Sequence, residues 1–174
     1  MDRKQVRAFE AFVNESGDAL LRTATLLTSD RHTAEDVYQE TLQRLFVRWS
    51  RVDNPAGFCR QVMHNLVIDL ARARQRRPRQ VELHDSYHGK DPQSGDPASA
   101  AELRPTVLAA LDTLTIHQRA IVVLRYFEDL SQDEVAEMLG VSPGTVKSTA
   151  SRAVAQLRAQ PGLVALFADA SATS

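Results

Sequence analysis

In AEDVYQETLQRLFVRW the apolar residues Ala34, Val37, Tyr38, Leu42, Leu45, Phe46 and Trp49, with Thr41 between them, recur at steps of three and four. This spacing predicts a helix with one stripe turned toward a core. Its other side carries Asp36, Gln39, Glu40, Gln43 and Val47, and positions 36, 40, 43 and 47 stack on one line. From residue types alone, that line is either a solvated helix face or a set of acceptors with an apolar end offered to a partner. In SRVDNPAG, which follows, Asn54 before Pro55 and then Gly57 break the helical pattern. A second amphipathic run begins at Phe58, with Phe58, Val62, Leu66 and Leu70 marking its buried side and Gln61, Asn65, Ile68 and Arg72 another side. It ends in Arg72, Arg74, Arg76, Arg77 and Arg79. One or two arginines would complement a helix dipole, and the surplus points to phosphates.

The most specific pattern lies further on, in LSQDEVAEMLGVSPGTVKSTASRAVAQLR. Small Ala136 lets two helices approach, Gly140 admits a tight turn and Val146 plugs the second helix onto the first, the intervals of a helix-turn-helix. Val135, Leu139 and Val141 are expected to complete its core, and Ser142 followed by Pro143 starts the second helix. Acidic residues fill Glu128 to Glu137, whereas Thr145 to Arg158 carry Lys147, Arg152 and Arg158 without an acid. The second helix is therefore the one suited to DNA, with Ser142, Thr145, Lys147, Ser148, Thr149 and Arg152 as candidate contacts to phosphates and base edges.

Between the two patterns, about 78–104 is rich in Pro, Gly, Ser and Asp and reads as a linker. The predicted fold is all-α: two small helical domains, 1–77 and 105–161, joined by that flexible linker, with a tail at 162–174 to which no function is assigned. Charge follows the same division: residues 1–80 sum to +4, 81–105 to −3 and 106–174 to −2. The total of −1 in 174 residues therefore conceals a basic front and an acidic middle. At 43% apolar content the chain can bury a core, but no window approaches the roughly 18 apolar residues of a spanning helix. The single cysteine, Cys59, excludes an internal disulfide and a multi-cysteine zinc site, which fits a reducing cytoplasm. There is no Gly-rich phosphate loop and no metal-ligand spacing, so neither cofactor nor metal is expected, and His64 reads as a polar contact rather than a catalytic base.

From about Phe9 to Arg158 the chain resembles the extracytoplasmic-function (ECF) group of bacterial sigma factors, in the sigma-70 superfamily. AEDVYQETLQRLFVRW resembles the family's core-polymerase-binding helix and PAGFCRQVMHNLVIDLARARQRR its promoter-melting, minus-ten-reading helix. LDTLTIHQRAIVVLRYFEDLSQDEVAEMLGVSPGTVKSTASRAVAQLR resembles its minus-thirty-five-binding domain. The resemblance implies that Asp36, Gln39, Glu40 and Gln43 dock on core RNA polymerase. It likewise implies that Asn54, Phe58, Gln61, Asn65, Asp69, Arg72 and Arg76 hold the unpaired minus-ten strand, Phe58 or Trp49 offering a stacking face. It also implies that the linker threads toward the polymerase active centre, and it brings in an anti-sigma factor as an inhibitory partner. The chain departs from the family pattern at Gly57, Phe58 and Cys59, where many relatives have Trp, Leu and Tyr, and at Thr149, Ala150 and Ser151, where Arg is common. The residues alone also admit a dimeric helix-turn-helix regulator that binds duplex DNA without polymerase.

Overall fold

A computed structural model of the protein describes residues 2–76 and 105–160. Every regular element among them is helical. In the first part, α1 (Arg3–Thr28), α2 (Arg31–Arg48) and α3 (Pro55–Arg76) pack on one another, with a single 3₁₀ turn at Trp49–Arg51 between the last two. In the second, α4 (Pro105–Asp112) leads to α5 (Ile116–Val122), which runs on into a widened, π-helical turn at Val123–Phe127; α6 (Gln132–Leu139) and α7 (Pro143–Arg158) complete it. The expected linker, the tail at 162–174, and Arg77 and Arg79 lie outside the described residues.

Most helix starts follow from a short polar side chain that takes up a free N–H. Asp2, Thr115 and Ser131 each close a reciprocal box with Gln5, Gln118 and Glu134. Asp30 caps α2 through the Thr33 N–H at 2.8 Å, and this bond holds its carboxyl below the usual carboxylate range. The α3 helix begins at Pro55, three residues before the amphipathic run at Phe58. Asn54 Oδ1 accepts the Gly57 N–H at 2.9 Å, and Pro55 takes the first turn, where no N–H is needed. A Cβ on Gly57 would stand 2.7 Å from Asn54 Nδ2, which accounts for glycine at a position where many relatives carry a large residue.

Two expected stripes shift when the packing is seen. On α2, Ala34, Val37, Thr41 and Leu45 are buried and Trp49 packs edge-on against Phe9, but Phe46 is 43% exposed. On α3 the deep positions are Cys59, Met63 and Val67, flanked by Val62, His64 and Ile68, while Phe58 and Leu66 are half-buried and Leu70 is exposed. Ile68 therefore belongs to the interior rather than to the polar side. The physical reason is that α3 is covered from two directions, by α1 and α2 and by α5, so its buried face is wider than one amphipathic stripe.

The helix-turn-helix forms as its spacing predicts. Gly140 ends α6 at φ +65°, a left-handed cap that glycine adopts without strain, and Ser142 Oγ accepts the Thr145 N–H at 3.1 Å. Val135, Ala136 and Val146 meet Ile121, Leu124 and Ala150 in a small cluster against which Leu139 packs. Val141, expected in that core, is exposed in the turn.

The larger apolar cluster does not stop at the end of α3. Leu20, Leu27, Met63 and Val67 are continuous with Leu111, Ala120, Val123 and Leu157, so the two parts share one interior. His64 sits at this junction. It is buried, its Nδ1 lies 3.4 Å from Asn65 Oδ1, its Nε2 has no partner, and its ring centroid is 6.4 Å from that of His117 on α5. A buried polar contact thus replaces the exposed one expected from sequence. Burial, and after it the nearby His117, pull the His64 pKa below the ordinary value of 6.5, with the Asn65 contact opposing. The unfolded chain then takes up this proton first, so stability is full above about pH 6.5 and erodes as pH falls toward the depressed value. Thermal melts from about pH 7.5 to about pH 5.5 are expected to show the loss, and His64→Gln to flatten it. An unchanged slope in that variant would remove His64 from the account.

Candidate nucleic-acid and partner interface

Three surfaces carry the candidate residues. The first is an open groove of about 770 Å³ between α1 and α2, lined by Phe9, Glu10, Val13, Asn14, Gln39, Leu42, Gln43, Phe46 and Val47. Its floor is apolar and its rim bears amides. Val47 is 82% exposed, an isolated large hydrophobe that makes sense only against a partner. Gln39 and Gln43 line this groove, Asp36 lies exposed on the same helix, and Glu40 is held at 2.8 Å by Arg44 one turn on. The sequence reading missed two things here: the wall supplied by α1, whose residues received no assignment, and Phe46, placed in the core but lying on the groove. Its ring meets Phe9 edge-on at 5.1 Å, which keeps it in place while leaving a face open.

The second surface is the exposed side of α3. Gln61, Asn65, Asp69 and Arg72 lie at helical spacing along it, with Asp69 and Arg72 3.8 Å apart. Such an exposed pair contributes little to stability, so both groups are free to take other partners. Asn54 is occupied as the α3 cap and Phe58 is half-buried. The backbone of Arg76 closes α3, and its side chain lies outside the described residues. Cys59 is fully buried, and burial pushes its thiol up to about 11, which makes it a core residue rather than a nucleophile.

The third surface is the outer face of α7. Ser142, Thr145, Lys147, Ser148 and Arg152 are exposed and Thr149 is half-buried. Part of their hydrogen-bonding capacity is spent within the helix: Ser148 Oγ donates to the Thr145 carbonyl at 3.2 Å and Arg152 Nε to that of Ser148 at 3.3 Å. Lys147 has no such tie and projects beside a polar groove of about 380 Å³ lined also by Arg125, Tyr126, Gln132, Ser151 and Arg158. Arg125 and Tyr126, which sequence reasoning left unassigned, come from the widened turn; Arg125 donates to the Leu130 carbonyl and lies 6.0 Å from the Tyr126 ring centroid. Among the described residues no group of three or more His, Cys, Asp or Glu could hold a metal ion, and no helix is long and apolar enough to cross a membrane.

Two bundles, one carrying an acceptor-rimmed apolar groove and a polar helix face, the other a helix-turn-helix with a basic outer helix, define a two-part DNA-binding protein that also grips a protein partner. The family comparisons agree with that class. Residues 12–77 match the model for sigma-70 region 2, and residues 105–157 match that for sigma-70 region 4. The RNA polymerase sigma-E factor of Streptomyces coelicolor is 36% identical over 97% of this chain and 93% of its own length. The ECF RNA polymerase sigma factor SigL of Mycobacterium tuberculosis is 35% identical over 85% of each chain. The chain belongs to the sigma-70 family of RNA polymerase sigma factors, and its relatives place it in the ECF group. The fold is also that of a solved sigma factor, RpoE of Bartonella quintana in complex with the anti-sigma factor NepR, at a TM-score of 0.67, 24% identity and coverage of 87% of this chain and 95% of that one.

Proposed function

We propose that the chain is a dissociable promoter-specificity subunit whose three surfaces divide the work. The α1–α2 groove, with Gln39, Gln43, Phe46 and Val47 at its centre and Asp36 and Glu40 beside it, captures core RNA polymerase. The α3 face with Gln61, Asn65, Asp69 and Arg72 holds melted minus-ten bases, supported by the loop that Asn54 caps. The α7 face reads minus-thirty-five duplex. On this reading residues 1–77 and 105–161 are the two working domains and 78–104 their connection. The subunit acts in the cytoplasm and contributes binding energy only; bond making belongs to the polymerase. The observation that carries the proposal is the groove: an exposed apolar floor on the same bundle as the α3 polar face serves a protein partner and an unpaired strand together, which a duplex-only regulator does not need.

The direct test is co-purification with core polymerase followed by sequencing of transcript starts. A discrete set of starts sharing two upstream elements is expected, and failure to yield any specific transcript would remove the proposal. Solved relatives carrying anti-sigma factors, such as CnrH with the cytosolic domain of CnrY, support proposing an anti-sigma protein as a second partner here. For the duplex-reading face, Lys147→Ala is expected to weaken minus-thirty-five binding nearly uniformly across sequences and to reduce the salt slope by about one. A titration of affinity against salt checks this; an unchanged slope places Lys147 off the phosphate backbone.

A further inference from the structure

The two DNA-reading faces are held too close together to be used together. α5 touches both α3 and α7, and packed helix axes stand about 8–10 Å apart, so the α7 axis passes within about 20 Å of the α3 axis. At about 1.5 Å per residue even the full length of α3 adds only about 33 Å. Elements centred near minus ten and minus thirty-five are about 25 steps apart, about 85 Å of duplex at about 3.4 Å per step.

The contact that holds the faces together is specific. Glu128, immediately after the widened turn of the second bundle, reaches into the first. Its carboxylate accepts the Thr23 hydroxyl from α1 and, at 2.5 Å, the Arg60 Nε from α3. Thr23 is buried, and the Arg60 and Glu128 side chains are 23% and 14% exposed. On the other side of the junction Arg119 donates to the Leu27 carbonyl at 3.4 Å while pairing with Asp112 at 2.9 Å. A carboxylate this enclosed and paired across two helices is costly to leave without its partners.

We infer that Glu128 is an intramolecular latch that keeps the free subunit closed and unable to span a promoter until polymerase and DNA pull the bundles apart. Arg60 and Thr23 form its catch. The inference rests on the two-element reading above. The chain between Arg76 and Pro105 has a covalent reach of about 100 Å, so the spread state is within the tether's limit. A closed population reduces apparent affinity for the machinery by the fraction closed, and weakening the latch returns that factor.

The test uses the full chain. Glu128→Gln keeps the shape and removes the charge. Small-angle scattering is expected to show wild type near the roughly 16 Å radius of gyration of a compact chain of this length, broadened by its tether, and the variant at least about 4 Å larger. With polymerase in excess, the variant is expected to half-saturate run-off transcription at a concentration about fivefold lower. Exchanging the charges, Arg60→Glu with Glu128→Arg, should restore both values toward wild type. If Glu128→Gln lowers helix content, Arg60→Gln breaks the same bond from the other bundle and takes its place. An unchanged radius overturns the latch, as does expansion without a lower half-saturating concentration. If wild type supports no run-off, the promoter-specificity reading is what fails, and the radius alone then decides whether Glu128 holds the bundles together.

Discussion

Val47→Glu is expected to raise the concentration needed to compete for core polymerase by at least about 30-fold, with little change in folding. Val47 is 82% exposed, so its replacement removes almost no buried contact within the chain, and a surface substitution of this kind shifts stability by about 0.5 kcal/mol or less. In the complex the same residue would sit at the end of the groove that Phe9, Leu42 and Phe46 floor. Placing a carboxylate there desolvates a charge among apolar atoms with no cation in the groove to meet it. Central interface residues contribute about 2 kcal/mol or more when lost, which corresponds to about 30-fold in affinity. Competition against a labelled reference sigma for limiting core measures the effect. A Val47→Glu protein that melts like wild type and competes like it would show that polymerase docks elsewhere.

Val146→Asp is expected to separate the two activities. Val146 is fully buried in the small cluster with Leu124, Val135 and Ala150, which is distinct from the larger one running through α1, α2 and α3. An unpaired carboxylate at that position costs about 3–5 kcal/mol, enough to unseat α7 from α6. Minus-thirty-five duplex binding should fall below detection while capture of core polymerase persists, since no lining residue of the α1–α2 groove belongs to the damaged cluster. Gel shifts on duplex and core capture on the same preparation read both halves. Loss of both at once would mean that the bundles fold as a single cooperative unit, with the shared interior outweighing the separate clusters.

How much of this was legible in the sequence depended on how local the cause was. The helix-turn-helix was fully written in residue types, because Ala136, Gly140, Ser142, Pro143 and Val146 act within one turn of themselves. The position of Gly57 against Asn54 was legible as a break but not as a helix start, since the cap uses a side-chain oxygen whose direction no periodicity encodes. The sites fared according to burial from elsewhere in the chain. Gln39, Gln43, Gln61, Asn65, Lys147 and Arg152 are exposed as expected, on faces that only their own helix determines. Phe46, Ile68 and His64 were misplaced because a second helix, α1 or α5, decides which side of them is covered. Thr23, Arg60 and Glu128, separated by up to 105 positions, gave no signal at all: an ion pair across a chain of this length has no spacing rule to betray it.

The widened turn at Val123–Phe127 carries a further consequence. There the Glu128 N–H bonds back to Val123, five residues earlier, so the helix holds one residue more than a regular α turn would. Deleting a single residue within that turn would restore ordinary pitch and swing everything after it by about 100° around the axis. The Glu128 carboxylate would then point away from α1 and α3 without any change in its own identity. A one-codon indel is thus a setting on how readily this protein unfolds its two halves from each other, available to closely related chains that keep every other contact.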